Sequence, residues 1–158
     1  MKDVKGLILA RLSLALCIIL LTAGCTDLRN LQIAGCKVLS VSPRGFTSLD
    51  ATLRLDIDNP GAQVSLRDFS ALVHKDGRDI ARMSSDSLTL EAACRRSYDA
   101  RCTLKILDGL SIPDLGNIVR EENLSSYLVD IEASVRTGRS KYRPVRLSGI
   151  PLDKIIKI

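Results

Sequence analysis

The sequence predicts a mainly β domain, an antiparallel β-sandwich with one short helix, preceded by a signal peptide. Three observations predict it. Apolar and polar residues alternate with period two over several long stretches, glycine-containing turns separate those stretches, and only one segment carries helical spacing.

The clearest alternation is Leu49, Ala51, Leu53, Leu55, Ile57 interleaved with Asp50, Thr52, Arg54, Asp56 and Asp58. Side chains on a strand point alternately to opposite faces, so one face is buried and the other wet. Tyr98, Ala100, Cys102, Leu104, Ile106 repeat the pattern, as do Val129, Ile131, Ala133, Val135. Shorter strands are expected at Lys37 to Val41, Phe69 to His74, Ile80 to Met83, Leu88 to Ala92 and Tyr142 to Leu147. The Asp76-Gly77 pair suits a tight hairpin, because both residues tolerate positive φ, and Thr137-Gly138-Arg139-Ser140 does similar service later. Between Ser111 and Glu122, Leu115, Ile118 and Val119 fall at helical spacing behind Pro113, which suits a first helical turn. Seven or eight half-buried strands must press their apolar faces against a second sheet, hence the sandwich.

The first 24 residues stand apart. Lys2, Lys5 and Arg11 precede the apolar stretch Leu12 to Leu21, the n-region and h-region of a secretory signal. Arg11 interrupts any longer span, and a membrane-crossing helix needs roughly 20 apolar residues. Leu21-Thr22-Ala23-Gly24-Cys25 resembles the lipobox of bacterial lipoproteins, with Thr22 where leucine is usual. The resemblance implies cleavage before Cys25, lipid on its sulfur, and an envelope protein anchored by two or three acyl chains, each buried methylene contributing about 0.8 kcal/mol. Thr26, in place of an aspartate, favours the outer membrane over the inner. Ordinary cleavage near Ala23 or Gly24, with Cys25 incidental, is the bland alternative.

The expected organisation is thus a signal peptide over 1–24, a lipidated N-terminus and tether over 25–35, and one sandwich domain over 36–158. Beyond the signal, 20 basic and 17 acidic residues leave a balance of +3, too mild to imply nucleic acid. Cys36, Cys94 and Cys102 remain after the signal's Cys17 and the anchor. A disulfide between Cys94 and Cys102 across a hairpin is one reading of their spacing, and ordinary burial of Cys102 on a strand is the other.

The segment Leu53-Arg54-Leu55-Asp56-Ile57-Asp58-Asn59-Pro60-Gly61 drives an amphipathic strand into a stop. Pro60 cannot donate to a ladder, and the Asn59 side chain can bond the turning backbone. With the order that follows (FSALVHKDGRDIARM, SDSLTLEA, YDARCTLKIL, a helix, two closing strands to Ser148-Gly149-Ile150-Pro151), the chain resembles the type-two late embryogenesis abundant family, the water-stress and hypersensitive-response domain, over Cys36 to Leu152. That resemblance implies a fibronectin-like or immunoglobulin-like sandwich with one helix, without enzymatic activity, and associated with desiccation or other stress. It makes Asn59 and Pro60 fold-marking residues.

Arg136, Arg139, Lys141, Arg143 and Arg146 form a basic C-terminal hairpin with no acid between Ala133 and Leu152. It suits anionic head groups or polysaccharide; equally, such residues with Pro144 protect a sheet edge from pairing. His74, the single histidine, is expected at the surface, without a second histidine to complete a zinc site. No Gly-x-Ser-x-Gly elbow and no glycine-rich phosphate loop occurs, and Asp56 and Asp58 on a solvated face usually just keep it wet. The expectation is a non-catalytic module with no catalytic or metal site, no cofactor beyond the covalent lipid on Cys25, and a membrane partner through that anchor. Its rivals are a periplasmic binder of lipid or apolar ligands and a structural subunit of an envelope assembly.

Overall fold

The computed structural model describes residues 30–120 and 123–153. The signal segment, Cys25 and the first part of the tether lie outside them, as do Glu121 and Glu122 at the end of the expected helix. Among the described residues there are eight strands: β1 (Gln32–Arg44), β2 (Ser48–Asn59), β3 (Val64–Lys75), β4 (Arg78–Ser85), β5 (Leu88–Leu90), β6 (Cys94–Ile106), β7 (Leu128–Thr137) and β8 (Arg143–Pro151). Helix α1 (Ile112–Arg120) and a short 3-10 turn (Leu124–Ser126) separate β6 from β7.

All pairings are antiparallel. The hydrogen-bonded order is β1-β2-β6-β4-β3-β7-β8, with β5 on β3. Strand β4 meets β6 only over Ala81–Ser85, and this short ladder joins the layer β1-β2-β6 to the layer β4-β3-β7-β8. The continuous sheet therefore folds over on itself as a sandwich, and residues of the two layers share one core: Leu55, Ile57 and Leu104 from the first with Phe69, Val129 and Ile131 from the second. Leu49, Ala51, Leu53, Leu55 and Ile57 are none of them more than 4% exposed, as their alternation requires.

Several strands run longer than their patterns suggest, β1 and β3 by the most. In β3 the inward residues are Val64 and Leu66, then Phe69, Ala71 and Val73, because the register slips between Arg67 and Ser70, where Asp68 takes φ 55°. In β1 the register shifts between Ile33 and Gly35 and again between Val38 and Ser40. The sandwich domain is expected from residue 36; β1 opens at Gln32, and Leu31 before it is 2% exposed.

The β3–β4 hairpin turns on Asp76 (φ 51°) and Gly77 (φ 75°), the paired positive φ that an Asp-Gly turn supplies at low cost. Helix α1 closes one end of the sandwich with Leu115 buried and Ile112 and Ile118 packed on the core. Asp114 Oδ2 accepts hydrogen bonds from the Ser111 amide at 2.7 Å and the Ser111 hydroxyl at 2.6 Å, a capping arrangement that holds the Asp114 carboxyl below its ordinary range. Among the described residues no helix is long and apolar enough to cross a membrane.

Replacing Phe69, the largest fully buried side chain, tests this core. Phe69→Ala is expected to lose about 3–5 kcal/mol in urea unfolding with an unchanged slope.

Candidate functional site

Antiparallel order fixes which loops share an end. Gln32 pairs with Asp58, Asn59 with Cys94, Val64 with both Leu90 and Thr137, and Val135 with Arg143. The start of β1, the Asn59–Val64 crossing, the Leu90–Cys94 loop and the Thr137–Arg143 hairpin tip are therefore all at one end. The β1–β2 and β3–β4 hairpins and α1 lie at the other.

At the first end Asn59 is 1% exposed. Its Nδ2 donates to the carbonyls of Ala62 and Glu91, both at 2.9 Å, and its Oδ1 accepts from the Gly61 amide at 3.1 Å. Ala93, at φ 50°, donates its amide to the Gly61 carbonyl at 3.0 Å. The Tyr98 hydroxyl accepts from the Glu91 amide at 2.9 Å, and burial is the main cause that raises the phenol's pKa. Asn59 thus ties two loops together with its whole carboxamide, while Pro60 is exposed and only enforces the turn.

The hairpin tip is pinned to the same crossing, since the Gly138 amide donates to the Gln63 carbonyl at 2.7 Å. Tyr142 is half-buried and carries two guanidinium groups, Arg67 at 3.8 Å and Arg136 at 4.7 Å from its ring centroid. Arg67 also lies 3.3 Å from the Asp68 carboxylate. Arg139, Lys141 and Arg143 are exposed. The five basic residues of the hairpin do not form one patch: Arg146 stands farther along β8 and faces Glu132 at 3.4 Å, whereas Arg143 lies opposite inward-facing Val135. Arg95 and Arg96 at the start of β6 are exposed at the same end, with Arg96 2.5 Å from Glu91. Sequence reading missed them, because they join the hairpin only through the topology. Tyr142 beside the arginines was the legible clue to the stack.

The expected Cys94–Cys102 bridge is corrected. Both thiols are free and both residues belong to β6, with RRSYD running as extended strand rather than turn. Eight residues of strand separate them by about 26 Å, against the 4.4–6.8 Å Cα spacing of a disulfide. Burial, with smaller contributions from Asp86 and Cys36, pushes the Cys102 thiol up to about 11.

His74 is half-buried rather than a free surface residue. Its Nε2 sits 3.1 Å from Asp130 Oδ2, out of line for a hydrogen bond. Asp130 Oδ1 accepts from the Gly149 amide at 2.8 Å. Asp56 and Asp58 do not act as a pair, because each faces a partner across the sheet: Asp56 bonds the Ser97 hydroxyl and Asp58 stands opposite Arg95. Arg54 grips Asp99 at 2.8 and 3.0 Å, which raises the Arg54 pKa and lowers that of Asp99.

An open groove of about 260 Å³ crosses the outer face of β1-β2-β6. Ser42, Asp50, Arg44 and Thr103 line it, with Asp50 held by Arg44 at 2.5 Å and by the Thr103 hydroxyl at 3.0 Å. Asp50 is thereby neutralised, Asp86 is the groove's second carboxylate, and its thiol, Cys102, is protonated at neutral pH. Among the described residues no group of three or more histidines, cysteines or carboxylates is placed to hold a metal ion.

Fold and site together define a β-sandwich closed at one end by a buried asparagine and fringed there by basic side chains. No family model matches the chain, and no curated protein matches its sequence. Among solved structures it is similar to a protein from Archaeoglobus fulgidus at 12% identity and TM-score 0.40, over 75% of this chain and 94% of that one. The yeast GGA1 GAE domain is similar at 12% identity and TM-score 0.29, over 75% of this chain and 97% of that one. A β-glucuronidase from glycoside hydrolase family 2 matches 73% of this chain at 12% identity and TM-score 0.33, and the match spans 11% of that enzyme.

Asn59→Ala strips partners from two carbonyls and an amide, and a loss of about 1–3 kcal/mol is expected by urea unfolding. The Cys102 thiol binds its proton more tightly folded than unfolded. Its contribution is complete below pH 9 and is lost as pH rises toward about 11, so stability should fall across that window more steeply in the parent than in Cys102→Ala.

Proposed function

We propose that this chain is a lipid-anchored, non-catalytic module of a bacterial cell envelope, of the type-two late embryogenesis abundant kind, acting in stress protection or as an interaction domain. The observation that carries the reading is the start of the fold. Leu31 is buried and β1 opens at Gln32, seven residues after Cys25, so a cysteine bearing acyl chains would hold the sandwich close against the bilayer. The Asn59 turn supports the family resemblance, since the residue that marks it in sequence is the one that locks the crossing between the layers. Outer-membrane placement follows from Thr26 within the same reading.

Intact-mass spectrometry of membrane-fraction protein tests the anchor. The wild-type mass is expected to equal Cys25 to Ile158 plus two or three acyl chains, and the Cys25→Ser chain to lack them; an unacylated mature mass in the soluble fraction sinks the reading. Stress protection is tested on a deletion strain, which is expected to lose viability on drying relative to its parent.

A further inference from the structure

The end of the sandwich from which the tether emerges carries an excess of positive charge drawn from three separate places in the sequence. Arg95 and Arg96 come from the start of β6, Arg136 from the end of β7, and Arg139, Lys141 and Arg143 from the last hairpin. Three carboxylates, Asp58, Asp68 and Glu91, stand at this end; Arg96 engages Glu91, and Arg67, stacked on Tyr142, engages Asp68. Elsewhere the charges of the described residues are largely paired. On the outer face of β1-β2-β6, Arg44 meets Asp50 and Arg54 meets Asp99; at the opposite end Arg78 meets Asp108.

The basic end is also a firm surface. Gly138 is bonded to the Gln63 carbonyl, Tyr142 carries the Arg67 and Arg136 guanidiniums, and Asn59 fixes the intervening crossing. Arg139, Lys141 and Arg143 project from this base, and among the described residues none of the three stands in an ion pair.

We propose that this end is a docking face for anionic lipid head groups, so that the domain stands end-on upon the bilayer. The placement rests on the anchored reading of Cys25. From Cys25 to Leu31 the chain spans at most about 20 Å fully extended. That holds the basic loops within two to three Debye lengths of the head groups at most, about 8 Å each at physiological ionic strength. A strand of 13 residues is about 43 Å long, so β1 carries its far hairpin well clear of that layer. Lying on either broad face would instead present charges that are already paired, Asp50 with Arg44 and Asp99 with Arg54 on one and Glu132 with Arg146 on the other.

The test is lysine labelling of the mature protein in vesicles with a water-soluble amine reagent, read residue by residue by mass spectrometry. Lys141 reports on the proposed face, Lys37 on the outer face of β1-β2-β6, and Lys105 on the far end. In phosphatidylglycerol-containing vesicles Lys141 labelling is expected to fall at least about threefold relative to pure phosphatidylcholine. Lys37 and Lys105 should be unchanged, and about 1 M salt should abolish the protection. Arg139→Glu with Arg143→Glu is expected to remove it as well, with urea unfolding showing the fold intact. Equal Lys141 labelling in both vesicles overturns the proposal, and so does protection of Lys37 or Lys105. Protection of Lys141 by a soluble anionic polysaccharide but not by vesicles overturns the lipid assignment. Intact mass of the same samples reads acylation separately. If the chain proves unacylated, the anchored function fails, while Lys141 protection of that soluble chain by anionic vesicles at low salt still decides whether the face binds lipid.

Discussion

A backbone that leaves one layer of the sheet for the other loses its ladder partners, and here that happens directly after the buried Asn59. The chain must pass from β2 to β3, in the opposite layer, through Pro60 to Gln63. Pro60 has no amide to offer, and unpaired buried backbone groups each cost about 1–3 kcal/mol. The Asn59 carboxamide satisfies both of its amide hydrogens and its oxygen within this turn and the neighbouring Glu91 loop. Since Glu91 leads into β6, which is zipped along β2, one side chain sets where β2 ends and β6 begins relative to the start of β3 in the second layer. The Gly138–Gln63 bond then hangs the last hairpin on the same crossing. The basic end inherits its geometry from this buried amide.

What the amino-acid pattern reveals and what it conceals follows from the regularity of pairing. Strands β2 and β7 pack one unbroken face inward, so simple alternation locates them to within a residue or two. Strand β3 changes the parity of its inward residues at Asp68, and a period-two template therefore finds only the half beginning at Phe69. The two register shifts of β1 hide its ends in the same way. RRSYD looked like a turn because it is polar, yet Arg95, Ser97 and Asp99 occupy the solvent-facing positions opposite Asp58, Asp56 and Arg54. The cysteines at its flanks consequently sit far apart. Ser111 and Asp114 did carry a readable helix-start signature. The Asn59 turn was legible because its chemistry is local; the union of β6 and β8 arginines was not, because it depends on which loops the topology gathers.

The edges of the sheet fit the same logic. Strands β1 and β8 are the two ends of the hydrogen-bonded order, and each is ill suited to pairing with another chain. Strand β8 presents Pro144 and charged Arg143 and Arg146, while β1 is twice bulged and carries Lys37 and Pro43. Guarding an edge and charging an end are separate tasks. Arg146, paired with Glu132 along the strand, serves the first, and the residues of the hairpin tip are free of that duty.

The layout of the chain has a mechanical side. Leu31 enters at one end of the sandwich, and Leu152, bonded to the Tyr127 carbonyl at 2.8 Å, lies at the other. Tension drawn between these two points runs along the strands, and the bonds of an antiparallel ladder lie across them. Strand β1, registered with β2 from Gln32 to Arg44, would thus be loaded in shear, with many bonds sharing the force, rather than peeled open one bond at a time. A domain held by its first strand in this way would resist being torn from its mooring by the part of its structure that is most extensively laced.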